Sequence, residues 1–193
     1  MDWLADLIDR FVTAPDDLLL ARRRLDAIRL GGTAGASAYL EACRLLGEAA
    51  SDSAGLIAAL DDVEDPSTLD SVGLLVIACF ASVKQDYAAR PDAQRARAAL
   101  AARADPVIEA AGTKYGYVLQ DWLTALAGQA ALQLSEIATT RAPLVRVETG
   151  VSLPATVLAW RLYGDPARDA ELVTRNRTGT AMVMPVVLEA IAP

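Results

Sequence analysis

The sequence contains no histidine. That removes the commonest general base and the commonest transition-metal ligand, and with them any serine–histidine or cysteine–histidine hydrolytic arrangement inside the chain. Only two cysteines are present, Cys43 and Cys79. Both fall in apolar helical patterns, where a thiol behaves as a small core hydrophobe, so no structural disulfide is predicted. Aromatic residues make up 5%, too few to line the cleft that paired carboxylates need for glycoside hydrolysis. Lysine occurs only at 84 and 114 while alanine and arginine abound, a bias of base composition and not of chemistry.

Other absences narrow the function further. The longest apolar run, 72–83, is too short to cross a bilayer, which takes about 20 residues. The opening Met1-Asp2-Trp3-Leu4-Ala5-Asp6 carries acids where a signal peptide carries bases. No phosphate loop is visible, because Gly31-Gly32-Thr33-Ala34-Gly35 has neither the lysine nor the preceding strand that such a loop requires. Asp61, Asp62, Glu64, Asp65 and Asp70 are dense in carboxylates, but the glycine and terminal glutamate of a calcium loop are missing. They read as a helix end, a linker and the acidic start of the next helix. No metal, cofactor or catalytic residue is expected, and the chain is not read as an enzyme.

What is present is apolar surface. In 193 residues, 53% are hydrophobic and 22% charged, enough for one good core plus a small satellite. The net charge of −7 repels phosphate backbones and anionic lipid, which argues against direct nucleic-acid binding and membrane insertion. Arg22-Arg23-Arg24 is flanked by Asp16, Asp17 and Asp26, and reads as a solvated helix face with ion pairs three or four residues apart.

Along the chain, Trp3, Leu4, Leu7, Ile8, Phe11 and Val12 recur at helical spacing. Pro15 breaks that run and opens a second helix over 18–30, which stops at Gly31-Gly32. A third covers about 36–50. After a joint at 51–55 and a stop at Asp65-Pro66-Ser67, residues 69–87 form the most hydrophobic helix, which belongs at the centre of the core. An Ala/Arg-rich helix over 93–103 follows, interrupted or restarted at Asp105-Pro106. The pattern is helical again over 113–139, with Leu119, Trp122, Leu123, Leu126, Ala130, Leu134 and Ile137 on one face. Gly116 and Gly128 weaken that helix by about 1 kcal/mol each and are candidate points of close helix contact.

At Arg141-Ala142-Pro143 the character changes. Leu144-Val145-Arg146-Val147-Glu148 alternates as a strand, Thr149-Gly150 is a turn, and Ser152 is a good N-cap for a helix reaching Tyr163. Gly164-Asp165-Pro166 ends it and starts another over 167–175. A loop around Thr178-Gly179 precedes a closing strand over 186–191. The expected fold is therefore mainly α: a helical bundle over 1–141, followed by a small α+β module of order β-α-α-β over 142–193, its outer strands paired antiparallel.

The run Ala159-Trp160-Arg161-Leu162-Tyr163-Gly164-Asp165, then Glu171-Leu172, Arg175-Asn176-Arg177 and a final strand, resembles the C-terminal end of the Mu-type phage DNA circularization proteins. The alanine-rich stretch over about 70–140 looks like that family's middle. The resemblance covers the C-terminal two-thirds and is specific in the last 50 residues. It is more distantly similar to LysM modules, in which Tyr-Gly-Asp closes the first helix and an Asn the second. The resemblance implies a tail or baseplate component, and in that family a β-rich domain precedes the helical region, where here the helical pattern begins at once.

Three functions follow as expectations. The first is an assembly protein of the virion tail, made in the bacterial cytoplasm, which joins tube, hub and wedge or sheath parts and is oligomeric in the particle. Its candidate docking surface is Trp160, Arg161, Tyr163, Asp165, Arg168, Arg175, Asn176 and Arg177, an arginine cluster on an acidic protein. The alternative is a peptidoglycan-binding LysM-type protein. Against it, sugar-binding LysM modules carry a Gly-Asp-Thr-Leu type turn where this chain has Thr149-Gly150-Val151-Ser152-Leu153. The third is a helical adaptor or chaperone of the host.

Overall fold

The computed structural model describes residues 2–192. Among these the protein is mainly helical, with nine α-helices and one two-stranded antiparallel sheet. It divides into two compact units, Met1–Asp86 with Gln94–Glu136, and Tyr87–Ala93 with Ile137–Pro193.

The first unit opens with α1 (Asp2–Phe11), α2 (Pro15–Ile28), α3 (Gly32–Ala49), α4 (Ser53–Ala59) and α5 (Thr68–Lys84). Helix α1 buries Leu4, Leu7, Ile8 and Phe11, the stripe its sequence dictates. Helix α5 is apolar on every side and buries an unbroken run from Val72 to Cys79, as a central helix must. It packs on α3 and α4. Two glycines permit the approach: a Cβ on Gly47 would stand 2.9 Å from the Ile77 carbonyl oxygen, and one on Gly73 would stand 2.1 Å from Tyr39 Oη. Tyr39 is fully buried and donates to the Leu69 carbonyl at 3.1 Å.

Caps account for the helix ends. Ser67 and Asp70 form a reciprocal capping box at the start of α5, and the Trp3 indole donates to Asp70 Oδ1 at 2.9 Å. At the other end of α5, Lys84 donates to the Glu48 and Ala50 carbonyls, each at 2.7 Å, closing the end of α3. Cys43 and Cys79 are free and buried.

Several expectations are corrected. Helix α3 begins at Gly32, four residues early, because Gly31 at φ +67 and Gly32 at φ +56 together supply the turn. Helix α5 stops at Lys84, short of Tyr87. Asp105-Pro106 is no break: α6 (Arg90–Tyr115) runs through Pro106. Proline there orphans the Ala102 carbonyl, but Ala102 and Pro106 are both exposed, so water can replace the missing donor. The break lies at Gly116, φ +92, which alone separates α6 from α7 (Tyr117–Thr140). Neither Gly116 nor Gly128 marks a close contact, since a Cβ on either would meet nothing within 4 Å. On α7, Leu123, Ala130 and Leu134 are buried as the pattern requires, but Trp122 is exposed. Arg22 reaches Asp9 on α1 at 2.9 Å and makes no pair along its own helix.

The second unit contains β1 (Leu144–Glu148), α8 (Ala155–Tyr163), a 3₁₀ turn (Pro166–Arg168), α9 (Asp169–Arg175) and β2 (Val187–Ile191). The strands are antiparallel, with Leu144 opposite Ile191 and Glu148 opposite Val187. Its core is Ala155, Leu158, Ala159, Leu172, Met184, Leu188 and Ala190. Three alanines in that set let the helices approach closely, at the price of a small apolar reserve. Ser152 does not cap α8. The N-cap is Pro154, and Ser152 Oγ donates instead to the Met184 carbonyl, tying the loop after β1 to the loop before β2.

Candidate functional site

The eight residues picked out as a docking surface fall into three sets. Trp160 and Arg161 project from α8 into solvent, and Trp160 is 62% exposed. Among the described residues no side-chain hydrogen bond or ion pair joins either of them to the others.

Tyr163, Asp165 and Arg168 form the corner between α8 and α9. Gly164, at φ +71, is the left-handed cap of α8. Asp165 then accepts from the Ala167 amide at 2.9 Å and starts the 3₁₀ turn. The Tyr163 ring lies on the small core and its hydroxyl accepts from the Ile191 amide at 3.1 Å. Arg168 stacks over that ring with its guanidinium carbon 3.7 Å from the centroid, and pairs with Glu171 at 2.7 Å. Burial and then the Glu171 charge push the Tyr163 hydroxyl's pKa up, so it stays neutral and acts as a structural clasp.

The third set is Arg175, Asn176 and Arg177, at the end of α9. Asn176 is the C-cap. Its amide nitrogen donates to the Leu172 and Glu189 carbonyls, each at 2.9 Å, and its oxygen accepts from the Glu189 amide at 2.7 Å. That one side chain rivets α9 to β2. Arg175 has a side chain only 11% exposed and pairs with Asp92 at 3.1 Å, while its Nε is buried without a partner. Arg177 stands at φ +51. Its amide bonds to the Thr174 carbonyl at 3.2 Å, and the next amide, of Thr178, to Val173 at 3.1 Å. This pair defines a Schellman ending, in which the left-handed position normally belongs to glycine.

Arg175, Asn176 and Arg177, with Arg146 of β1 and Glu189 of β2, line a groove of about 390 Å³. Arg146 faces Glu189 in the strand register, yet no ion pair joins them among the described residues. With Arg175 held by Asp92, the groove offers the exposed Arg146 and Arg177 guanidinium groups against the Glu189 carboxylate. A second cavity of about 550 Å³ lies between the two loops, lined by Ser152, Thr178, Val183 and Met184 among others. Sequence reasoning missed Arg146, Asp92 and Glu189. Arg146 was legible as the charged member of a strand; nothing in the sequence pointed from Arg175 to Asp92, 83 residues away.

No family model matches the chain, nor does any curated protein. Among the described residues no group of histidine, cysteine, aspartate or glutamate is placed to hold a metal, and no helix is long and apolar enough to cross a membrane. In the acidic stretch, Asp61 pairs with Arg103. The shape of the second unit offers hydrogen-bonded backbone, guanidinium groups and apolar loop surface, which suit recognition of another molecule.

Proposed function

We propose that this chain is a non-enzymatic structural component of a Mu-type contractile phage tail, a hub or baseplate adaptor whose closing residues form a LysM-like βααβ module. The observation that carries the reading is the pairing of Leu144–Glu148 with Val187–Ile191 around two helices, with Tyr163-Gly164-Asp165 closing the first helix and Asn176 the second. Those are the parts that the resemblance assigns to these residues. The exposed Trp160 and the arginines of the groove supply the residue types that anchor protein interfaces.

Glycan binding is the weaker alternative for a physical reason. Thr149 Oγ1 is committed to the Val151 and Val186 carbonyls at 2.7 and 3.1 Å, and Ser152 Oγ to Met184. The hydroxyls of the turn that would meet a sugar are spent on the protein's own backbone, and what the cavity offers beside them is largely apolar.

The test is to purify intact tails from an induced lysogen that encodes the chain and label them with an antibody to it. Labelling confined to one end of the tail is the expected result; tails complete without the chain would end the proposal. Retention on insoluble peptidoglycan, lost on changing 149–153, would replace it with the alternative.

A further inference from the structure

The chain divides its charge unevenly. Tyr87–Ala93 and Ile137–Pro193 hold seven arginines and six acids, a net of +1, which leaves −8 of the total −7 on the other unit. The arginine groove is the most concentrated positive feature of the first of these. The negative unit carries an exposed turn, Asp62, Glu64 and Asp65, with no ion pair to any of the three among the described residues. Among the described residues, two other than glycine have positive φ: Asp65 at +42 and Arg177 at +51. One stands in the acidic turn and the other on the basic groove. Aspartate enters the left-handed region readily, whereas arginine at the Schellman position does so at a cost that glycine would not carry.

From these observations we infer that the groove of Arg146, Arg175 and Arg177 receives the acidic turn 62–65 of a second copy of this chain. Arg146 and Arg177 are exposed and free to fork onto carboxylates. Arg175, held by Asp92, fixes the floor of the groove, and the Asn176 rivet keeps it open at the end of β2. Groove and turn are different surfaces, so the contact is heterologous: each copy uses its groove on one neighbour and its turn on another. Repetition gives a ring if the rotation closes and a filament if it does not. The inference rests on the docking role of the second unit, and holds with or without the tail assignment.

Sedimentation velocity of the full chain at low and high ionic strength tests it. Concentration-dependent association that weakens with salt is expected. An Arg146→Glu/Arg177→Glu variant and an Asp62→Lys/Glu64→Lys/Asp65→Lys variant should each be monomeric. Mixed, they should form a one-to-one pair that grows no further, because only one groove and one turn survive between them. Arg177→Gly, which relaxes the backbone and cannot be dismissed as misfolded, should weaken self-association at least about tenfold while raising the melting temperature. A wild-type chain that stays monomeric at low salt, or variants that associate as it does, would overturn the inference; tails labelled as above with a monomeric free chain would leave only the tail assignment standing.

Discussion

An arginine in the left-handed region costs about 1 kcal/mol against glycine, so Arg177→Gly should stabilise the second unit by that amount, read from its urea midpoint. Asn176→Ala should act in the opposite direction. It strips the Glu189 amide and carbonyl of their partner, and a loss of about 1–3 kcal/mol is expected. At Asp70, burial works against the carboxylate but is outweighed by the hydrogen bonds from the Ser67 hydroxyl, the Trp3 indole and the Ser67 amide, and the pKa is lowered. A depressed folded-state value means the contribution is complete above the unfolded pKa, about 3.9, and is lost as pH falls through the folded one. Trp3 fluorescence, in a background with Trp122 and Trp160 changed to Phe, should therefore stay constant down to about pH 4 and shift below it. A shift centred near neutral pH would contradict the Trp3–Asp70 contact.

Among the elements, Gly73 and Pro106 give opposite tests. Gly73→Ala improves intrinsic helix propensity, but its methyl meets a buried Tyr39 that has no room to move; a net loss of about 2 kcal/mol is expected. Pro106→Ala restores a donor on the exposed side of α6 and should gain up to about 3 kcal/mol. The same pair explains what the sequence could reveal. Strand β1 was readable to the residue because alternation stops at both ends against Pro143 and Gly150, and Gly164 was readable because a helix followed by Gly-Asp-Pro has one cheap ending. Pro106 misled, since sequence says nothing of whether the orphaned carbonyl will face water. Gly116 looked like a weak point inside a helix, and only its φ of +92 reveals a terminus. Of the docking residues, the corner at Tyr163 to Arg168 was legible from local spacing. The groove was not, because Arg146 and Glu189 reach it through strand register and Asp92 through a contact 83 residues long.

For the molecule as a whole, the two thiols report on opening of the helical unit. Burial drives the Cys43 thiol far up and the Cys79 thiol to about 12, so neither should react with a disulfide reagent in the native protein at mildly alkaline pH. Both should react once denaturant opens that unit, at a rate that follows the unfolding equilibrium; rapid native labelling would show the core around α5 to be looser than described. The closing segment, residues 143–192, has a different global property. Leu144 lies across from Ile191, and Ala192 donates to the Pro143 carbonyl at 2.9 Å, so the polypeptide enters and departs at neighbouring points. Adjacent ends favour grafting that segment into a surface loop of an unrelated host, or joining its ends and reopening it at Gly150 or Gly179, but the graft leaves behind Asp92 on Tyr87–Ala93, so the nearly buried Arg175 needs a replacement acid.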